Sequence, residues 1–259
     1  MKKLFLSRQF GGILWHFVFA GLFIGISLIL LEVMEGVTWY LVSTALRVLF
    51  GLAILLVSTK LFGKDWRDIL SFRNVKGALL VGIGFLLFFT YDCVTVASGF
   101  GGITGLTLGV FLSKVLLQQI ATGFYEELNY RYLLLEGLKH TGNTLGLKLL
   151  FTLGSAVLFG LLHCVTGWST YVFLQTGAIG FAFAVIFVCS GNIVIPMILH
   201  FVYDVIANLA PYVTWNDSRL FYRLNDAFEI MLGVMFAVSL AILILSAAGK
   251  KEDSLDFQN

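Results

Sequence analysis

Residues 169–189 read STYVFLQTGAIGFAFAVIFVC, 21 positions without one charged side chain. At about 1.5 Å of rise per residue, a helix of that length crosses the hydrocarbon layer of a bilayer. Further stretches of the same kind lie on either side. Reading apolar runs between polar breaks places helices near residues 11–33, 37–61, 77–97, 105–138, 147–166, 169–189, 191–210 and 226–247. The expected fold is all-α: a polytopic transmembrane bundle of about eight helices, forming one integral membrane domain over residues 1–259.

Composition agrees with that reading. Hydrophobic residues make up 59% of the 259 positions and charged residues 12%, about half the charged share of an average soluble domain. A soluble fold of this size has no interior large enough to hide so much apolar surface. The net charge is only +2, and the basic residues sit in short clusters between apolar runs, so nucleic acid is excluded as a partner. Cys93, Cys164 and Cys189 lie in or beside apolar runs without paired spacing; they read as small buried hydrophobes, not as disulfides or metal ligands. Lys2, Lys3 and Arg8 precede a stretch that stays apolar to about Met34 without a small-residue cleavage site, which predicts an uncleaved anchor.

An even number of crossings puts both ends on one side. Lys2, Lys3, Arg8, Lys60, Lys64, Arg67, Arg73, Lys76, Lys139, Lys148, Lys250 and Lys251 then share that side, and Arg219 and Arg223 fall opposite. The positive-inside rule assigns both termini and the loop 60–76 to the cytoplasm. With no eukaryotic retention signal, the expected location is a bacterial cell membrane.

Ionisable groups within apolar spans cost at least a few kcal/mol, so each needs a partner, a wet cavity or a task. They are Arg47, Asp92, Lys114, Glu126, Glu127, Arg131, His163, His200 and Asp204, with His16 and Glu229 near segment ends. Arg47 and Asp92 fall in the outer halves of neighbouring antiparallel segments and read as a structural ion pair without chemistry. Lys114, Gln118, Thr122 and Glu126 recur every four residues, a polar stripe expected to face solvent or a cavity. The segment 105–138 is too long for one straight crossing, and Gly123 marks an expected bend or protruding end.

Within Phe124-Tyr-Glu-Glu-Leu-Asn-Tyr-Arg131, Glu127 and Arg131 share a helix face and can pair, while Glu126 is turned by about 100° away from it. One carboxylate is thereby held by arginine and the other left facing a cavity, as a general base would be. His200 and Asp204 share a face, with Asn208 a turn further on, and Phe159 and His163 share another.

Glu126-Glu-x-x-x-Arg131, Phe159-x-x-x-His163 and His200-x-x-x-Asp204, in this order on separate helices, resemble the CAAX protease and bacteriocin-processing family, also called Abi, over about residues 105–210. Any one motif alone would be weak; the ordered set is specific. The resemblance implies an intramembrane glutamate protease on a helical bundle, in a family that holds prenyl-protein endopeptidases and relatives tied to peptide processing or bacteriocin immunity. It implies that Glu126 activates the attacking water, His163 helps to hold it, Glu127 and Arg131 brace the site, and His200 with Asp204 stabilises the oxyanion. The eukaryotic members have Asn where this chain has Asp204. An ionised aspartate cannot donate to an oxyanion, so Asp204 either stays protonated or orients His200, the role favoured here.

Depth counting raises one difficulty. With cytoplasmic turns near Gly142 and Gly191, Glu126 and His200 lie about 16 and 9 residues from the nearest turn but His163 about 21, several ångströms too deep unless its helix tilts or its first turns project into the cytoplasm.

The expected activity is metal-independent and cofactor-free cleavage of a membrane-associated peptide or membrane-protein segment, lipidated or not, in a site open toward the cytoplasmic half of the bilayer. A zinc enzyme using His163, His200 and one carboxylate is the metal-dependent variant, but the HExxH spacing is missing. A non-catalytic immunity or scaffold protein is the alternative of a different class. A proton-coupled transporter would show inverted repeats and interrupted helices in both halves, which this chain lacks.

Overall fold

The computed structural model describes residues 2–137 and 144–256. Lys139, one of the residues behind the expected orientation, lies outside them. Long apolar stretches become long helices because, in hydrocarbon, only intrahelical bonds satisfy the backbone. Helix α1 (Lys2–Leu31) turns into α2 (Gly36–Phe62). A short α3 (Trp66–Ile69) lies in the basic loop. Next, α4 (Val75–Val81) and α5 (Ile83–Gly99) meet at a 70° bend. The motif-bearing rod α6 runs over 108–135, followed by α7 (Leu145–His163), α8 (Thr170–Ser190) and α9 (Val194–Leu209). The chain closes with a short α10 (Arg219–Asp226) and α11 (Phe228–Asp256).

Six helices are long and apolar enough to cross a membrane, seven with the bent α4–α5 pair. The remaining crossing expected from the sequence is α6, whose polar residues set it apart from the others. The protein is an all-α multi-pass membrane bundle. Helix α8 forms its axis: nine successive residues, Ile179 to Phe187, are buried whichever way they point, as an all-apolar helix must be. The outer surface carries side chains such as Leu56, Leu80 and Leu245, 65–73% exposed, a surface suited to lipid and not to water.

Three features were not legible in advance. Strands β1 (Phe100–Ile103) and β2 (Val213–Trp215) form a small antiparallel pair, Phe100 opposite Trp215 and Ile103 opposite Val213, that ties the end of α5 to the chain beyond α9. Arg219 and Arg223 sit on the separate helix α10, not at the edge of a crossing. Finally, α6 runs on as unbroken helix through Gly123. That residue lies in its regular middle portion, Gln118–Glu126, between two π-helical stretches, Phe111–Leu117 and Glu127–Leu133. A Cβ on Gly123 would stand 2.8 Å from the Met197 carbonyl oxygen, so the glycine permits α6 and α9 to touch backbone to backbone.

Candidate active site

The two adjacent glutamates straddle the point where α6 passes from regular to π geometry, a transition often found at functional sites. Glu127 turns inward. Its Oε2 lies 3.2 Å from Arg131 Nε, with both side chains wholly excluded from solvent. Its Oε1 lies 2.9 Å from His200 Nδ1 on α9. Since an ionised carboxylate only accepts, Nδ1 of His200 is the donor. The guanidinium of Arg131 lies 4.2 Å from the centre of the Phe159 ring and donates from Nη2 to the Gly180 carbonyl at 3.4 Å. Phe159 also walls His200, with ring centres 5.8 Å apart. Arg131 Nη1 is buried without a hydrogen-bond partner among the described residues, so the ion pair is held by the Glu127 carboxylate, the Gly180 carbonyl and the Phe159 face.

The other ring nitrogen of His200, Nε2, faces Asp204 Oδ2 at 3.4 Å and Glu126 Oε2 at 3.8 Å. The imidazole is therefore flanked by carboxylates at both ends. Glu126, 13% exposed in its side chain, turns to the opposite side from Glu127 and lines a cavity of about 280 Å³ together with His163, Arg47, Tyr125 and Tyr130. Its Oε2 is buried without a hydrogen-bond partner. His163 ends α7, and its Nδ1 lies 2.8 Å from the carbonyl of Phe159, one turn back. A carbonyl only accepts, so Nδ1 carries a proton, and in the neutral form of the ring the lone pair is on Nε2.

This geometry answers the depth difficulty. Ser155 Oγ donates to the Tyr130 carbonyl at 2.8 Å, a register within about 1.5 Å of simple turn counting, and yet Glu126 and His163 line one cavity. His163 then folds back toward the N-terminal end of its helix, the direction in which helical side chains lean.

Several expectations are corrected by the packing. Arg47 does not pair with Asp92: its Nη1 donates to the Ser43 carbonyl at 3.4 Å and to Ser43 Oγ, and its guanidinium lies 5.1 Å from the Phe23 ring centre. It joins the cavity of Glu126 and His163, a placement that the sequence did not signal. The polar stripe is not solvated as a whole. Gln118 Nε2 donates to Ser43 Oγ at 3.1 Å, Thr122 is buried, and Lys114 lies between the rings of Tyr40 and Tyr212 at 5.8 and 5.6 Å. His16 is not at a helix end but wholly buried within α1, with Nδ1 3.2 Å from both the carbonyl and Oδ1 of Asn129. The cavity is lined by Leu31, Trp39, Val165 and Thr166 at the end of the bundle where α1 turns into α2. That end is opposite the loop 60–76, so with this loop cytoplasmic the cavity belongs to the outer half of the bilayer, not to the cytoplasmic half.

Residues 107–206 match the family model described as Rce1-like, type II CAAX prenyl endopeptidase Rce1-like. No curated protein and no solved structure matches the chain. The matched span begins at Thr107, whose hydroxyl accepts from Val110 N at 3.3 Å to cap α6, and ends within α9. It thus takes in every element that contributes Glu126, Glu127, Arg131, His163, His200 or Asp204, and over this part the chain is similar to the type II CAAX prenyl endopeptidases.

Proposed function

We propose that the protein is an intramembrane endopeptidase that cleaves a membrane-associated peptide with water activated by Glu126, without a metal. The observation that carries this reading is the division of labour between the two glutamates. Glu127 is committed to Arg131 and His200, whereas Glu126 shares a cavity with His163 and its Oε2, 3.8 Å from His200 Nε2, takes part in no hydrogen bond among the described residues.

A water held by Nε2 of His163 gives a proton to Glu126 as it attacks the peptide carbonyl. The developing oxyanion is met by the N–H at Nε2 of His200. The contacts of Nε2 with Asp204 and Glu126, at 3.4 and 3.8 Å, are long enough for an entering oxygen to take that proton's bond. Asp204 acts by orienting His200, and the Arg131–Glu127 pair holds the ring from its other side. Glu126 then passes its proton to the leaving amine.

The test is cleavage by detergent-purified protein of a panel of fluorogenic lipidated and unlipidated peptides, with and without a strong chelator. Chelator-resistant cleavage that falls at least about 100-fold in Glu126→Ala and His200→Ala is expected, the range for losing a general base or an oxyanion donor. Cleavage abolished by chelator and restored by zinc would replace the mechanism by a metal-dependent one. A cellular phenotype surviving both substitutions would establish the non-catalytic immunity or scaffold role instead.

A further inference from the structure

Helix α1 lies outside the stretch that the family model matches, yet three of its residues grip the end of α6 that carries the second π-helical stretch. Gln9 Nε2 donates to the Leu134 carbonyl at 2.8 Å. A Cβ on Gly12 would collide with the Leu133 carbonyl oxygen, so this glycine lets the two backbones touch. His16, wholly buried, has Nδ1 3.2 Å from both the carbonyl and Oδ1 of Asn129. Positions 9, 12 and 16 share one face of α1. They meet 134, 133 and 129 in reverse order, so the two helices run antiparallel.

The bond from His16 reaches a main-chain carbonyl inside the π-helical stretch Glu127–Leu133. A π-helical turn steps five residues where a regular turn steps four, so its carbonyls leave the regular ladder, and a buried carbonyl needs a donor. A carbonyl only accepts, so His16 Nδ1 carries the proton of that bond. Asn129 continues the link: its Nδ2 donates at 3.3 Å to the hydroxyl of Tyr125, which lines the cavity of Glu126 and His163. The second ring nitrogen of His16, Nε2, is buried without a hydrogen-bond partner, which leaves the ring this one polar task among the described residues. The same stretch carries Glu127 and Arg131, and Glu127 Oε1 meets His200 Nδ1 at 2.9 Å. Relaxed to regular geometry, the stretch would turn one of its ends against the other by about 100°, one residue's step. Glu127 begins it, so its carboxylate would swing from His200.

Resting on the peptidase reading of the neighbouring cavity, we propose that His16 is a positioning residue, whose hydrogen bond to Asn129 holds the π-helical turn that aims Glu127 at His200. It touches no substrate. It acts through Asn129 and Glu127 on the ring that meets the oxyanion.

The test reads the site both with and without turnover. With the histidine rings of the full protein labelled by heavy nitrogen for NMR, wild-type His16 is expected to show a proton on Nδ1; a bare Nδ1 overturns the proposal. His16→Phe keeps a ring and loses the donor, and His16→Asn returns an N–H near the position of Nδ1. His16→Phe is expected to shift the His200 ring signals and to leave those of His163, whose bond to the Phe159 carbonyl lies within α7. His16→Asn returns the His200 signals to their wild-type positions. In cleavage of the peptide panel, His16→Phe lowers kcat about 10- to 100-fold with KM unchanged, up to the loss expected for a reacting group misplaced by about 1 Å. His16→Asn recovers most of that loss. His200 signals that stay in place in His16→Phe overturn the proposal, as does a fall in kcat that His16→Asn does not lessen. If His16→Phe does not fold, the wild-type proton position and the His200 signals of His16→Asn, which must match wild type, decide. A protein that cleaves no peptide but shows the His200 shift would refute the peptidase reading and leave the role of His16 standing.

Discussion

Arg131 is fully buried and meets the bundle through three unlike contacts: the Glu127 carboxylate, the Gly180 carbonyl and the face of Phe159. Removing it strands the Glu127 charge in a site without water. Arg131→Ala is expected to cost about 3–5 kcal/mol, seen as a large fall in the thermal unfolding temperature in detergent. Arg131→Lys should recover only part of this, because an ammonium cannot reproduce the planar fork. The Glu127–Arg131 pair was legible from a spacing of four on one helix. The contact from Glu127 to His200, 73 residues away, was not foreseen: the resemblance put both residues in one site, and no local rule joins residues on separate helices. The placement of Arg47 was hidden for the same reason: sequence position offered Asp92 as a partner, and the packing turned Arg47 toward Phe23 and Ser43 instead.

The alignment of α6 with its neighbours decides whether the site assembles. Gly123 is the contact point, with the Met197 carbonyl 2.8 Å from where a Cβ would stand. Gly123→Ala should therefore push α6 from α9 at a cost of about 1–3 kcal/mol, and because His200 rides on α9, cleavage should drop more than folded protein does. Gly154→Ala on α7 is the matched control, since nothing lies within 4 Å of its added methyl; it should leave both unfolding temperature and cleavage unchanged or raise stability slightly. The periodicity of the chain announced a helix around Gly123 and a polar side to it. It could not announce the flanking π-helical stretches, because a five-residue hydrogen-bond step leaves no mark of its own in an apolar pattern. The depth count likewise treated α6 and α7 as ideal rods and followed backbone positions alone, whereas the His163 ring folds back to the Phe159 carbonyl and reaches the cavity of Glu126.

Across the whole bundle, the basic loop and the cavity occupy opposite ends. The orientation expected from the positive-inside rule, with the loop 60–76 in the cytoplasm, is therefore one in which the cavity faces the outer half of the bilayer. In a background with Cys93, Cys164 and Cys189 replaced by Ala, Glu35→Cys should react with a membrane-impermeant maleimide on intact cells, and Asp65→Cys only after lysis. The reverse pattern would invert the molecule and return the cavity to the cytoplasmic half.

What the amino-acid order determined by itself was everything that depends on solvent and on neighbours along one helix: a lipid-embedded bundle, its crossings to within a few residues, and three pairs of candidate-site residues sharing faces. Lipid demands long apolar helices, and a helix repeats every 3.6 residues, so both can be read from a string of letters. Only the tertiary structure decided which faces meet. It set Glu127 between Arg131 and His200, left Glu126 to the cavity with His163, and turned Arg47 into that cavity, because contacts between helices depend on crossing points and relative heights that no single helix encodes.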